Sequence, residues 1–304
     1  MTRNDFKQVT WDAETLDDCR QLVRLAIRED LGRGLDLTTV ALVPYDSRGR
    51  AAIVSREPGV IAGLPAAECV LREMNTDIEW SALVEDGTQI ERGSTVATLS
   101  GSTRDLLTAE RPVLNFLGKL SGIASLTRRY VDQVAHTPAK IYDTRKTTPG
   151  WRRLEKYAVR CGGGTNHRTG LFDAILIKDN HLAQGNWNLA EAIVAARKFL
   201  RQQQDANPNL ADAIVEIEVD TLEQLAEALQ ATPDIALLDN MTCEQLSAAV
   251  RQRDAASAVT ELEASGGITI ETIRSVAETG IDRISVGALT HSAIGLDLGL
   301  DWSD

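Results

Sequence analysis

The chain has 304 residues, enough for one large domain or two smaller ones around a sizeable core. It is 43% hydrophobic and 25% charged, the balance of a globular protein in water, and no apolar run approaches the length of a membrane span. A formal net charge of -12 argues against the broad basic surface that binding nucleic acid requires, so neither nucleic acid nor membrane is an expected partner.

The start of the chain lacks the basic and apolar regions of a secretory signal. Cys19, Cys69, Cys161 and Cys243 lie far apart and form no C-x-x-C pair, which fits a reducing cytoplasm. Cys161 reads as a small packing residue, not a nucleophile.

Leu16, Cys19, Leu22, Val23, Ala26 and Ile27 recur at helical spacing and predict an amphipathic first helix stopped at Gly32. Short strands follow over 51–55 and 59–63, then a helix over 66–74 and another strand over 78–84. Gly87, Gly93 and Gly101 punctuate brief β-prone pieces that read as scaffold. Residues 103–134 predict a long helical region divided by Pro112 and Gly122. Arg111, beside Pro112, reads on pattern alone as a surface arginine of that region.

From Ala139 strand and helix alternate. Strands are predicted over 140–143, 174–177, 214–219, 235–238, 259–263 and 283–286, with helices over 189–200, 222–229, 244–251 and 270–278. The last four units repeat at roughly 22 to 24 residues, the spacing of a compact βα repeat with short loops. The expected class is α/β: an N-terminal α+β domain over 1–134, an irregular parallel β/α barrel of fewer than eight strands over 135–289, and a tail over 290–304 packing back on the N-terminal domain. A doubly wound open sheet is the alternative.

Residues 140–181 reverse the sign of the chain, with nine Lys and Arg against four Asp and Glu. Such a reversal concentrates anions locally. Arg152, Arg153, Lys156 and Arg160 fall on a helix with Trp151, Leu154 and Tyr157 opposite, and read as a solvated face. Arg145, Lys146, Arg168 and Lys178 follow strands or the Gly162–Gly164 turn and read as ligands for an anion. Polar groups gather at the strand ends: Arg145-Lys146, Lys178-Asp179, Glu218, Asp220, Asp239-Asn240, Ser265-Gly266-Gly267 and Gly287-Ala288. In βα barrels that face carries the chemistry. Asp220 and Asn240 fit as helix caps, but Lys178 and Glu218 do not.

Ser265-Gly266-Gly267, before a helix expected near Thr269, and Gly287-Ala288 offer backbone N–H groups to a phosphate. Glu218 and Asp239 are candidate carboxylates for Mg²⁺ held with a diphosphate, since Mg²⁺ favours one or two carboxylates plus substrate oxygens. The rim therefore suits a sugar diphosphate and a second, carboxylated substrate. Two other readings stay open: a Schiff-base lyase using Lys178, and a non-enzymatic phosphosugar sensor, against which Glu218 and Asp239 count.

The segments YDTRKTTPG, KYAVRCGGGTNHRTGL and ILIKDNH, followed in order by EIEVDTLEQL, IALLDN, EASGGIT and SVGALTHS, closely resemble the quinolinate phosphoribosyltransferases. The resemblance covers nearly the whole chain. It implies transfer of phosphoribosyl from phosphoribosyl pyrophosphate to quinolinate with loss of CO₂, giving nicotinate mononucleotide and pyrophosphate in NAD biosynthesis. A related phosphoribosyltransferase for another heteroaromatic acid is the variant reading. The resemblance implies Mg²⁺ and a homodimer with shared active sites. It also implies that Arg111 of the partner subunit, Arg145, His167, Arg168 and Lys178 surround quinolinate, and that Lys146 contacts the diphosphate. The two glycine turns would take the phosphate, and Glu218 and Asp239 the metal-pyrophosphate and ribose.

Overall fold

The computed structural model describes residues 5–210, 212–256 and 259–303. They form two compact units, one of residues 9–128, 146–163 and 289–303, the other of residues 5–8, 129–145 and 164–288.

In the first unit, helix α1 (Ala13–Leu31) starts where the Asp12 carboxylate accepts the Thr15 N–H and ends at Gly32, whose φ of +59° suits glycine. Cys19 and Val23 line its buried face. Helix α2 (Leu37–Leu42) follows, then β1 (Arg48–Ser55), β2 (Gly59–Val60), α3 (Leu64–Glu73), β3 (Ile78–Ala82), β4 (Gln89–Ile90) and β5 (Thr95–Ser102). Strand β12 (Leu298–Ser303) pairs antiparallel with β1, completing a sheet in the order β12-β1-β5-β3.

Helix α4 (Thr103–Val134) is continuous over 32 residues, which corrects the expectation that Pro112 and Gly122 divide it. The glycines serve packing instead. A Cβ at Gly118 would come within 2.9 Å of the Leu296 carbonyl, and one at Gly122 would overlap the Ile294 carbonyl. Leu296 N–H donates to the Gly118 carbonyl at 2.9 Å, so extended chain lies directly on the helix there. Helix α5 (Arg152–Cys161) also departs from expectation, because Lys156 is fully buried rather than solvated. The helix is covered on several sides. Arg153 pairs with Glu14 at 2.6 Å and Asp18 at 3.1 Å, and buried Glu155 pairs with Lys119 at 3.0 Å.

The second unit holds six parallel strands: β6 (Lys140–Tyr142), β7 (Ile175–Ile177), β8 (Val215–Val219), β9 (Ile235–Asp239), β10 (Glu261–Ser265) and β11 (Arg283–Ser285). Between them run α6 (Asp179–Gly185), α7 (Leu189–Gln203), α8 (Leu222–Gln230), α9 (Cys243–Ala256) and α10 (Ile273–Ala277), with α11 (Ala288–His291) after the last. The strand order is β6-β11-β10-β9-β8-β7. A doubly wound sheet would reverse direction at a switch point; here strands seven to eleven run in sequence and the first returns beside the last. Thr165 adds a parallel bridge to Tyr142 on the other side of β6. The unit is an irregular parallel β/α barrel with fewer than eight strands.

Strand alternation sends every second side chain inward, and here many of them are charged. Arg283 is almost wholly buried, yet its guanidinium reaches Glu261 at 2.8 Å, Asp5 at 3.0 Å and Glu263 at 3.2 Å and lies 3.8 Å from the Tyr142 ring centroid. Tyr142 donates its hydroxyl to Asp5 at 2.9 Å. Residues 5–8 thus supply charge and an aromatic ring to the barrel from outside the repeating pattern. Losing one member of such a network costs about 3–5 kcal/mol, because the remaining charges stay buried.

Candidate active site

The barrel rim begins at Asp143, just past β6. Its buried carboxylate accepts the Asn166 side-chain amide at 2.6 Å and the His167 N–H at 2.9 Å. This ties the exit of the glycine turn to the strand end that carries Arg145. Gln8 holds the same segment from the other direction, accepting Asn166 N–H at 2.8 Å and donating to the Asn166 carbonyl at 3.2 Å. Phe6 packs on the His167 ring with centroids 4.2 Å apart.

His167 is buried, and both ring nitrogens face protein. Nδ1 accepts the Arg168 N–H at 2.8 Å, so the ring proton resides on Nε2. Nε2 lies 3.0 Å from Glu216 and 3.5 Å from Glu263, both fully buried. Burial, reinforced by the charge of Glu216, raises the proton affinity of Glu263 against the opposing pull of His167 and Arg283. The ligand atoms of His167, Glu216 and Glu263 lie within 4.8 Å of one another, close enough to suggest a metal cluster. The chemistry of the ring opposes that reading: a metal would need the Nε2 lone pair, and the amide at Nδ1 leaves the proton there.

Arg168 is buried beside this group. Burial, then the nearby Arg145 guanidinium, pulls it below the ordinary arginine range, while Glu216 and Asp173 act in the opposite direction. Two guanidiniums whose like charges act on one another make a site suited to an anion. Asp173 closes the following loop by accepting Thr169 N–H at 2.6 Å and Gly170 N–H at 3.0 Å.

Strand register accounts for the next pair. Ile177 of β7 lies opposite Ile217 of β8, so Lys178 and Glu218 sit side by side one residue later, and their side chains form an ion pair. On β9 and β10, Asp239 lies opposite Ser265. Asp239 accepts the Asn240 side-chain amide at 2.7 Å, and a Cβ at Gly266, whose φ is +94°, would overlap the Asn240 side chain. Gly267 instead faces open space, leaving its backbone approachable.

Three local expectations are corrected. Helix α10 is regular from Ile273, later than expected, although Ile273 N–H already donates to the Thr269 carbonyl at 3.0 Å. Asp220 is not the cap of α8; Thr221 is, in a capping box with Gln224. Asn240 is not a cap either, since Thr242 and Gln245 exchange hydrogen bonds at the start of α9.

The barrel unit thus carries Arg145, His167, Arg168, Lys178, Glu218, Asp239, Ser265, Gly266, Gly267, Gly287 and Ala288, the last opening α11. Lys146 and Arg111 belong to the other unit: Lys146 is exposed and accepts the Thr290 hydroxyl at its carbonyl, and Arg111 is exposed on α4. Sequence reasoning passed over Glu216, Glu263, Arg283, Asp5 and Phe6. A signal existed for the acids, because β8 and β10 each place Glu at alternate positions in otherwise apolar strands, Glu216 and Glu218, Glu261 and Glu263.

Two family models match in tandem. The one described as quinolinate phosphoribosyl transferase, N-terminal domain, matches residues 36–121, and the C-terminal domain matches residues 123–301. The chain belongs to the quinolinate phosphoribosyltransferase family. Among individual relatives, a nicotinate-nucleotide pyrophosphorylase (carboxylating) of Mycobacterium leprae is 46% identical over 287 residues, 94% of this chain and 97% of that protein. A chloroplastic enzyme of the same name from Arabidopsis thaliana is 35% identical over 93% of this chain and 82% of its own length. The solved nicotinate-nucleotide pyrophosphorylase of Francisella tularensis superposes with a TM-score of 0.87 at 36% identity, covering 98% of this chain and all of that one. Quinolinate phosphoribosyltransferase membership therefore extends over both units, and the rim lies within the part matched by the C-terminal model.

Proposed function

We propose that this quinolinate phosphoribosyltransferase makes nicotinate mononucleotide, pyrophosphate and CO₂ from quinolinate and phosphoribosyl pyrophosphate, as a step of NAD biosynthesis. The observation that carries the reading is that buried Arg168 feels the like charge of Arg145, in a chain of net charge -12. Quinolinate bears carboxylates on adjacent ring carbons. A guanidinium pair suits such a dianion, because ligand charge relieves their mutual repulsion.

The rim also suits the sugar. Gly267 and Gly287 would offer backbone N–H groups to its phosphate, and Asp239 and Glu218 would serve the leaving diphosphate. Mg²⁺ fits this donor set: two carboxylates on neighbouring strands, one already paired with Lys178, leave room for substrate oxygens. When bound, the ion would supply charge neutralisation at the pyrophosphate. The chain's own residues orient the pyridine nitrogen toward the ribose anomeric carbon, where departure of pyrophosphate leaves oxocarbenium character. Once alkylated, the ring nitrogen is cationic and stabilises the electron pair left on the adjacent carbon as CO₂ departs, and that carbon then takes up a proton from solvent to complete nicotinate mononucleotide. No covalent intermediate on the protein is needed.

A homodimer with shared sites and a cytoplasmic location belong to the same proposal. For the dimer, Leu37 and Leu42 of α2, with Leu35 and Tyr45 beside them, are exposed apolar residues of the kind that interfaces cover. For the location, the four scattered cysteines suit a reducing compartment. Carboxyl-labelled quinolinate tests the reaction. Release of labelled CO₂ should require both phosphoribosyl pyrophosphate and Mg²⁺, and release from quinolinate alone would defeat the order of alkylation before decarboxylation.

A further inference from the structure

We propose that Glu216, inside the barrel, is a positioning residue for substrate binding, acting through His167 on Arg168. The inference rests on the reading that Arg168 grips a quinolinate carboxylate. Glu216 is fully buried, and among the described residues neither carboxylate oxygen has a hydrogen-bond partner; the His167 Nε2 lies 3.0 Å away. A buried carboxylate in that condition is expensive for a fold. Packing alone would be better met by an apolar residue, as at its register partner Leu176 on β7 and at Ile235 on β9. The charge therefore has a use, and the geometry shows one.

A negative charge 3.0 Å from Nε2 favours the tautomer with its proton there. That tautomer leaves Nδ1 as a lone-pair acceptor, which the Arg168 N–H occupies at 2.8 Å. Glu263 lies 3.5 Å from the same nitrogen, and Phe6 packs on the ring with centroids 4.2 Å apart. The backbone of Arg168 is thereby held by a ring whose protonation is dictated from below. Glu216 lies one strand alternation beneath Glu218.

The test compares Glu216→Leu, which fills the space without charge, with Glu216→Gln, which keeps an acceptor oxygen. Quinolinate and phosphoribosyl pyrophosphate affinities are measured by direct titration of the full chain. The tautomer of His167 is read from nitrogen NMR, which is tractable with four histidines in the chain. Glu216→Leu should weaken quinolinate roughly tenfold to a hundredfold, the usual effect of losing an orienting partner. It should leave the sugar diphosphate within about twofold and shift His167 away from the pure Nε2–H form. Glu216→Gln should restore most of both readings. If Glu216→Leu does not fold, Glu216→Asp, which retracts the carboxylate, carries the same readings. An unchanged quinolinate affinity with an unchanged tautomer in a folded variant would overturn the role. So would stoichiometric Zn²⁺ or Mn²⁺ binding by the wild type that these variants abolish, which would make the cluster a metal site. A wild type with no affinity for quinolinate would sink the functional reading itself, an outcome separate from unaffected variants of a competent enzyme.

Discussion

Lys178 and Glu218 end neighbouring parallel strands and join their charges across the gap. An ammonium held against a carboxylate has no lone pair to offer a carbonyl, which removes the main attraction of a Schiff-base reading. Borohydride added during turnover should leave Lys178 unmodified in a peptide mass map. A reduced lysine–substrate adduct there would restore the lyase alternative.

The same pair separates the roles of the two rim carboxylates. Asp239 accepts a hydrogen bond from the neighbouring Asn240, whereas Glu218 restrains Lys178. Asp239→Ala should therefore weaken the sugar diphosphate by about 1.5–3 kcal/mol, the range for a charged hydrogen bond, and spare quinolinate. Glu218→Ala should weaken both, since Lys178 is set loose. Calorimetric titration of each ligand into each variant decides the matter. A loss of quinolinate affinity alone in Asp239→Ala would place that carboxylate at the wrong substrate.

Gly122→Ala should destabilise the fold even though alanine favours helix. The added Cβ would overlap the Ile294 carbonyl where extended chain crosses α4, and overpacking of this sort costs about 1–3 kcal/mol. Denaturant midpoints of wild type and variant give the comparison. A gain in stability would mean that the crossing chain yields easily.

That glycine also marks where reading the sequence stops short. The strands that build the barrel were legible, because apolar runs such as Ile235–Asp239 end in polar residues at regular intervals. The polar rim followed from the same pattern. Gly122 looked like a helix breaker because its reason lies in the distant segment at Ile294, invisible to local propensity. Lys156 looked solvated for a similar cause: the elements that bury α5 come from other parts of the chain. Inside the barrel, Arg283 finds Asp5 across 278 positions of sequence, and no window of periodicity reaches that far.

Cys161 should be inert. Burial, then the charge of Asp86, pushes its thiol up to about 12. At pH 8 the folded protein would hold about one thiolate in ten thousand at this position, so alkylation should be slow until urea is added. The linkage has a definite sign. An unfolded cysteine ionises near pH 8.5 while the folded one keeps its proton, so the contribution of this group to stability is lost as pH rises from about 8.5 toward 12. Cys161→Ser should reduce that alkaline slope. Rapid alkylation of native protein at Cys161 would contradict the assigned environment.

The last prediction concerns Arg111, exposed on α4 and assigned by the family resemblance to the active site of the partner subunit. Closed twofold symmetry would then build two equivalent sites, each from two chains. Arg111→Ala and Arg168→Ala should each be nearly inactive as homodimers. After subunit exchange, a mixed dimer carries both lesions in one site and neither in the other. Random exchange makes half the dimers mixed, so about a quarter of all sites should recover on the symmetry argument. An Arg111 that served its own barrel would leave a lesion in every site, and mixing would restore nothing. Exchange is verified independently by mass spectrometry of differently tagged chains. Verified exchange without recovered activity would rule out the shared site.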